Sequence, residues 1–314
     1  MSAKRLKWLD IAKSIAIILM VLGHTSIPLW MSNFIYAFHM PLFFIASGWT
    51  TNWEKYSIGN FIIHRFKTLL IPFIIYSMIV LAVMFFHGWN TIGDWITKGW
   101  GDGYALWFIP VLFLASLLAK GLYTFRETGG GRLFGLLVLL ILCMGIDLFH
   151  YHIRLPWNLS TVPYGVFMIV LGSEWANIYN RDKSNKIQLL MMVVAALVVG
   201  TISHFWRMDL CFNRILPSLP LTVGAIAGTY IIFSLSRWIE ASSNNFALLA
   251  KKVLSIIGRE TYIIVAFSPI IIMIINNYWA LNPIIKYILL VVILVILGFI
   301  KNIMKKLWKS VVKC

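Results

Sequence analysis

Apolar runs of about twenty residues recur along this 314-residue chain, and each is long enough to cross a bilayer as a helix. Inside hydrocarbon a backbone must satisfy its own hydrogen bonds, which leaves helices or a closed barrel. Runs this continuous read as helices. We delineate ten spans, at roughly 9–29, 34–50, 68–87, 105–123, 133–150, 161–176, 187–204, 218–236, 256–276 and 282–300. The chain is 60% hydrophobic and only 12% charged, whereas a soluble domain carries about a quarter charged residues. The expected fold is all-α: a polytopic membrane protein of about ten transmembrane helices, forming one domain over residues 1–314.

A formal charge of +16 raises the question of nucleic acid, but the basic residues sit at the ends of the apolar runs. There they act as topology signals, and their partner is the anionic lipid surface. Ten spans place 22 of the 27 Lys and Arg residues on the side of the N-terminus. Only Lys98, Arg154, Arg207, Arg214 and Lys286 fall on the other side. Both termini are therefore expected in the cytoplasm, with the chain a multi-pass protein of a bacterial plasma membrane. The first run lacks a secretory cleavage site and is read as a retained helix. Trp89–Tyr104 reads as an interfacial outer loop. Cys143, Cys211 and Cys314 have neither disulfide nor zinc spacing, so no metal site is expected. The absence of a clear internal repeat disfavours the inverted-repeat transporter folds.

Charge inside a span is costly and usually faces a protein interior or a wet cavity. The first span holds Lys13 and His24, with ten residues between them. Eleven steps turn a helix by about 1100°, roughly three turns plus 20°, and advance it by about 16 Å. The two residues thus share a face, and Asp10 falls near it. The pattern reads as a polar track. His24 has the near-neutral pKa of a general base, and it is equally able to serve as a structural hydrogen-bond donor.

The second span opens Tyr36-Ala37-Phe38-His39-Met40-Pro41-Leu42-Phe43-Phe44 and continues to Ser47-Gly48. Its direction puts His39 at the depth of His24, where the two histidines could form a site. The competing reading is packing, with Pro41 kinking the helix and Ser47-Gly48 allowing close approach. His64, Arg65 and Lys67 precede the third span. They read either as topology charges or as a cationic dock for a phosphorylated cytoplasmic cofactor. Trp107 and Phe108 open the fourth span, as an aromatic belt or as a surface on which a sugar stacks. Arg154 and Trp157, with His204, Trp206, Arg207 and Asp209, mix polar and aromatic groups in a way that suits a carbohydrate acceptor or an interfacial rim. No G-x-S-x-G elbow, Walker loop, dinucleotide fingerprint or H-E-x-x-H is present, leaving histidine-based transfer as the chemistry with candidate residues.

These residues carry a resemblance. Lys13 to His24 resembles the basic-x10-His motif of the membrane acyltransferase 3 family. Phe38 to Phe44 with Ser47-Gly48, the Arg65 region up to Pro72, and Leu106-Trp107-Phe108 follow in matching order. The wording is most similar to the branch related to fucose 4-O-acetylases. The resemblance implies a transmembrane O-acetyltransferase that uses acetyl-CoA, with His24 as the catalytic histidine and Lys13 as its basic partner. Asp10 joins them as a catalytic candidate. Arg65 matches the first member of an Arg-x-x-Arg pair whose second place is Thr68 here, so the cofactor-facing candidates are Lys13, Arg65, Lys67 and Ser47. The acceptor, expected to be a cell-envelope or lipid-linked carbohydrate, would meet His39, Trp107, Phe108, Arg154 and Trp157. Gly258-Arg259-Glu260-Thr261-Tyr262 is similar to a late glycine segment of the family. Relatives often carry a histidine about ten residues after that glycine, where this chain has Ser268. The rival reading is a transporter or flippase for a small solute or lipid-linked sugar, for which the polar track would be the path. A receptor that only binds is a more distant alternative.

Overall fold

The computed structural model describes residues 5–86, 105–124, 135, 156–179, 185–278 and 282–311. The expected span 133–150, the loop Trp89–Tyr104 and Arg154 lie outside these, apart from the backbone of Gly135. Six of the helices among the described residues pack on one element, α1 (Lys7–Gly23). Trp8, Leu9, Ile11, Ala12, Ala16, Ile17, Met20 and Val21 of α1 are all buried. Buried apolar side chains on several sides place the helix in the interior, apart from the polar face that carries Lys13. Its neighbours are α2 (Leu29–Tyr36) and α3 (His39–Thr50), then α9 (Ser218–Ala241), α10 (Asn245–Arg259), α11 (Thr261–Tyr278) and α12 (Pro283–Val311).

The remaining described helices are α4 (Ile58–Arg65), continued by a π-helical turn Phe66–Leu70 into α5 (Ile71–Phe86), then α6 (Phe108–Thr124), α7 (Val162–Ile178) and α8 (Asn185–Phe205). Among the described residues six stretches are long and apolar enough to cross a membrane: Leu29–Thr50, Ile58–Val83, Ala105–Thr124, Lys186–Phe205, Ser218–Ala241 and Ile284–Lys301. A seventh counts if α10 and α11, bent by 81°, form one span. The peripheral helices turn apolar stripes outward: Leu189, Val193 and Leu197 on α8, and Ile284, Ile288, Val292, Ile296 and Ile300 on α12. Exposed apolar surface at i, i+4 spacing over such lengths suits lipid rather than water. This is a membrane protein.

The sequence boundaries shift at three places, each for a physical reason. The first run does not stay helical to residue 29. It stops at Gly23, and Pro28 then precedes α2. The second run is broken at Ala37–Phe38, so Pro41 lies in the first turn of α3, where its missing N–H is not needed. It does not kink a continuous helix. The run 256–276 is not one straight helix either. It bends at Glu260, whose buried carboxylate accepts from Lys301 Nζ of α12 at 2.9 Å.

Close packing sets the site. An added Cβ at Gly48 of α3 would lie 1.8 Å from the Ile169 carbonyl oxygen, and one at Gly172 of α7 would lie 2.1 Å from that of Ile45. The two backbones therefore touch, as in small-residue contacts between membrane helices. Trp53 Nε1 donates to Ser173 Oγ at 2.8 Å, and buried Lys120 donates to the Trp53 carbonyl, locking the end of this contact. Gly258 brings α10 equally near the Asp10 carbonyl of α1.

Gly48→Ala should lower stability by about 1–3 kcal/mol, the usual range for overpacking. Gly200→Ala, where an added Cβ meets nothing within 4 Å, should not. Unfolding of both variants in the same detergent checks this, and equal behaviour would contradict the α3–α7 contact.

Candidate active site

Two abutting cavities run along one side of α1. The first, about 230 Å³, is lined by Lys13, Ile17 and Met20 of α1, Met40, Phe43, Ser47 and Thr50 of α3, Arg65, and Thr261 and Tyr262 of α11. The second, about 130 Å³, is lined by Met20 and His24, Tyr36 and His39, Met40, Trp107, and residues 209–212. Met20, Met40 and Ala105 line both. Lys13 and His24, three turns apart on one helix face, thus look into neighbouring spaces separated by two methionines and an alanine.

Their electrostatics differ. Among its described lining residues the first cavity has two cations, Lys13 and Arg65, and no acid. Arg65 Nη2 donates to Thr51 Oγ1 at 2.7 Å, and the guanidinium carbon lies 5.1 Å from the Phe61 ring centroid. Its Nε is buried without a hydrogen-bond partner. An unsatisfied donor on a buried cation calls for a water or an anion as its partner. The second cavity has no Lys or Arg among its described lining residues, but has a carboxylate, Asp209, beside two imidazoles.

Both imidazoles are held by the same device. His24 Nδ1 lies 2.8 Å from the Met20 carbonyl at the end of α1, and His39 Nδ1 lies 2.9 Å from the Ile35 carbonyl across the break between α2 and α3. A carbonyl only accepts, so each Nδ1 carries the proton and each neutral ring keeps its lone pair on Nε2. Tyr36 stands between them, with its ring centroid 5.9 Å from that of His24 and 5.0 Å from that of His39. His24 is exposed and His39 is buried. Accessibility therefore favours His24 as the base.

The other sequence candidates divide. Ser47 and Phe108 line the Lys13 cavity, while Trp107 lines the His24 cavity, so adjacent aromatics serve different spaces. Asp10 lines neither. Its carboxylate accepts from Arg5 Nε at 2.6 Å and Arg5 Nη2 at 3.1 Å. Lys67 is exposed and lines neither cavity, and Thr68 turns its hydroxyl back to the His64 carbonyl at 2.8 Å. The Trp157 side chain, like Arg154, lies outside the described residues. Thr261, Tyr262 and Tyr36 were quoted in motifs without a role. Tyr36 could have been singled out by its position one turn before His39.

A family model described as an acyltransferase domain matches residues 6–302. Comparison with curated proteins and with solved structures finds no match.

The two histidines should respond differently to truncation. His39→Ala leaves the Ile35 carbonyl with only the long bond from the Phe38 amide at 3.3 Å and removes a buried ring, and should cost about 1–3 kcal/mol of stability. His24→Ala, at an exposed helix end, should cost clearly less. Equal losses in denaturant unfolding would show that both rings are mainly structural.

Proposed function

The chain belongs to the acyltransferase 3 family, and from that premise we propose that it is an integral-membrane O-acetyltransferase. In this reading it moves an acetyl group from cytoplasmic acetyl-CoA to a hydroxyl of an extracytoplasmic or lipid-linked carbohydrate. The observation that carries it is the charge division along α1, with a cationic cavity at Lys13 and Arg65 abutting one that holds a free imidazole Nε2. The reading includes ten spans, cytoplasmic termini and a plasma-membrane location, so that the Lys13 cavity opens to the cytoplasm. The fucose 4-O-acetylase-like motif wording supports a sugar acceptor.

Acetyl-CoA fits the arrangement by size and charge. At about 230 Å³ the Lys13 cavity is below the usual range for a drug-sized ligand, which starts near 300 Å³. It accommodates an extended thiol arm rather than a nucleotide, so the phosphates stay at the mouth with Arg65. The thioester then reaches past Met20, Met40 and Ala105 towards His24. His24 Nε2 takes the proton of the acceptor hydroxyl as that oxygen attacks the thioester carbonyl. The carbon–sulfur bond breaks, and the imidazolium returns its proton to the departing thiolate. Transient acetylation of His24 is the alternative route through the same atoms. Trp107 and Tyr36 offer ring faces and a hydroxyl to a sugar.

A transporter or flippase is the second reading, because two abutting polar cavities also suit a path for a solute. Acetyl-CoA separates them. Thioester cleavage with acceptor acetylation by the reconstituted protein supports the enzyme, and solute flux without cleavage supports the transporter.

His24→Ala should abolish acetyl transfer while the protein remains folded and inserted. Near-normal turnover by that variant would sink the general-base assignment. Arg65→Ala should weaken acetyl-CoA binding roughly ten- to a hundredfold, from about 1.5–3 kcal/mol for a hydrogen bond to a charged group. Arg65→Lys should recover only part of it, since lysine lacks the fork. Isothermal titration with acetyl-CoA reads both, and unchanged affinity in Arg65→Ala would remove the cation from the donor site.

The same reading fixes sidedness. In a chain with Cys143 and Cys314 replaced by serine, a membrane-impermeant maleimide should reach Cys211 from the face opposite to a cysteine introduced at Lys55. Labelling of both from one face would refute the proposed orientation.

A further inference from the structure

The hairpin that closes the His24 cavity carries a group the proposed chemistry leaves unused. Residues 206–217 join α8 to α9. The backbone amide of Asp209 donates to the Arg214 carbonyl at 2.9 Å, and that of Arg214 donates back at 2.8 Å. Asn213 at the tip adopts a left-handed conformation, with φ of 50°. Two side chains from the turn before α7 hold the hairpin down. Thr161 Oγ1 donates to the Leu210 carbonyl at 3.0 Å, and Asn158 Nδ2 to that of Cys211 at 2.5 Å. The hairpin is thereby fixed as a wall, and Asp209 is buried at 7% exposure while lining the same cavity as His24.

A buried carboxylate needs partners, and Arg207 favours the Asp209 anion through its charge while turning its hydrogen bonds elsewhere. Arg207 donates to Ser32 Oγ at 3.3 Å and Asn33 Oδ1 at 3.4 Å, with its guanidinium carbon 4.2 Å from the Tyr36 ring centroid. Arg214 lies 5.8 Å from the Phe212 ring centroid. Neither arginine lines the cavity. Its titratable lining groups are His24, Tyr36, His39, Cys211 and Asp209. His39 is buried and bonded to Ile35, whereas His24 is exposed with Nε2 free for protonation. The carboxylate and the accessible imidazole are thus the two groups in this space with complementary charge available.

We infer that Asp209 is the positioning residue for His24, a fixed carboxylate that stabilises the imidazolium formed when the acceptor hydroxyl gives up its proton. The inference rests on the acyl-transfer reading for its catalytic consequence, but the electrostatic pairing stands apart from it. Burial pushes the Asp209 carboxyl above its ordinary range, and Arg207, the Phe212 backbone, Arg214 and His24 act in the opposite direction. The coupling is reciprocal: a protonated His24 favours the Asp209 anion, and the anion favours the protonated ring. A buried carboxylate opposite the base strengthens the base without binding its proton. The hairpin would then belong to the catalytic apparatus and not only to the rim.

The test is a histidine-selective NMR titration of the full chain in lipid nanodiscs, with the His24 resonance identified by its loss in His24→Gln. Removing the carboxylate in Asp209→Asn should weaken proton affinity at His24 by up to about tenfold, one pKa unit. Asp209→Glu should restore most of it. An unchanged His24 titration in folded Asp209→Asn overturns the inference. If Asp209→Asn fails to fold, Arg207→Gln keeps the test open. Arg207→Gln removes the cation that competes for the carboxylate and should raise proton affinity at His24, and an unchanged His24 titration in that variant overturns the pairing. Acetyl transfer is read separately. Under the inference, the acid limb of the rate profile in Asp209→Asn moves to lower pH, whereas a merely structural loss lowers the rate at every pH without moving it. A protein that shows the NMR coupling but no transferase activity retains the inference and loses the acyl-transfer reading.

Discussion

Much of the site depends on one hydrogen bond, from His24 Nδ1 to the Met20 carbonyl at 2.8 Å. It caps the end of α1, where the carbonyls of the last turn lack amide partners. It also fixes the tautomer, because a carbonyl accepts and so leaves the lone pair on Nε2. The same bond therefore sits at the end of the helix and leaves Nε2 of the neutral ring able to accept a proton beside a cavity. His39 repeats the device across the break between α2 and α3, with the Ile35 carbonyl at 2.9 Å. The difference between them is access: His39 is buried, and His24 is exposed.

The second constraint is the cost of charge in a low-dielectric surrounding. Lys13 and Arg65 bear that cost at one end of α1 with no acid among the described residues around their cavity. By contrast, Asp10 is matched by Arg5 and Glu260 by Lys301. The Lys301–Glu260 pair ties α12 to the bend between α10 and α11, the Arg5–Asp10 pair closes the start of α1, and the cations facing the cavity remain available to an anion. Arg237 shows the other way to accommodate a cation, with its guanidinium carbon 3.9 Å from the Trp8 ring centroid and 3.7 Å from that of Tyr179.

Helical arithmetic was enough to place Lys13 and His24 on one face, because both lie on one regular helix apart from the final cap. Arg65, Ser47 and Trp107 were legible through motif wording, and each lines one of the two cavities. Lys67, a cofactor-facing candidate from its place beside Arg65, lines neither cavity. A π-helical turn begins at Phe66, and Lys67 is exposed. The division between Trp107 and Phe108 could not be read either, since it depends on which space each ring meets. Asp209 reaches the cavity through a hairpin tied by Asn158 and Thr161, about fifty positions earlier in the chain. Such long-range closure leaves no local pattern, and Asp209 read only as one of a mixed group suiting a carbohydrate acceptor or an interfacial rim. The bend at Glu260 is likewise set by a partner on a distant helix.

The account's central claim is that an acyl donor enters at Lys13 and presents its reactive carbon to His24. The most direct measurement is a cryo-EM structure of the full chain in nanodiscs with a non-hydrolysable acetyl-CoA analogue. The account predicts phosphate density at Arg65, the arm threaded beside Met20, Met40 and Ala105, and the acyl carbon close enough to His24 Nε2 for an acceptor oxygen to bridge them, at about 3–3.5 Å from that carbon. An analogue bound with its phosphates on the His24 side, or with its acyl carbon remaining beside Lys13, would contradict it.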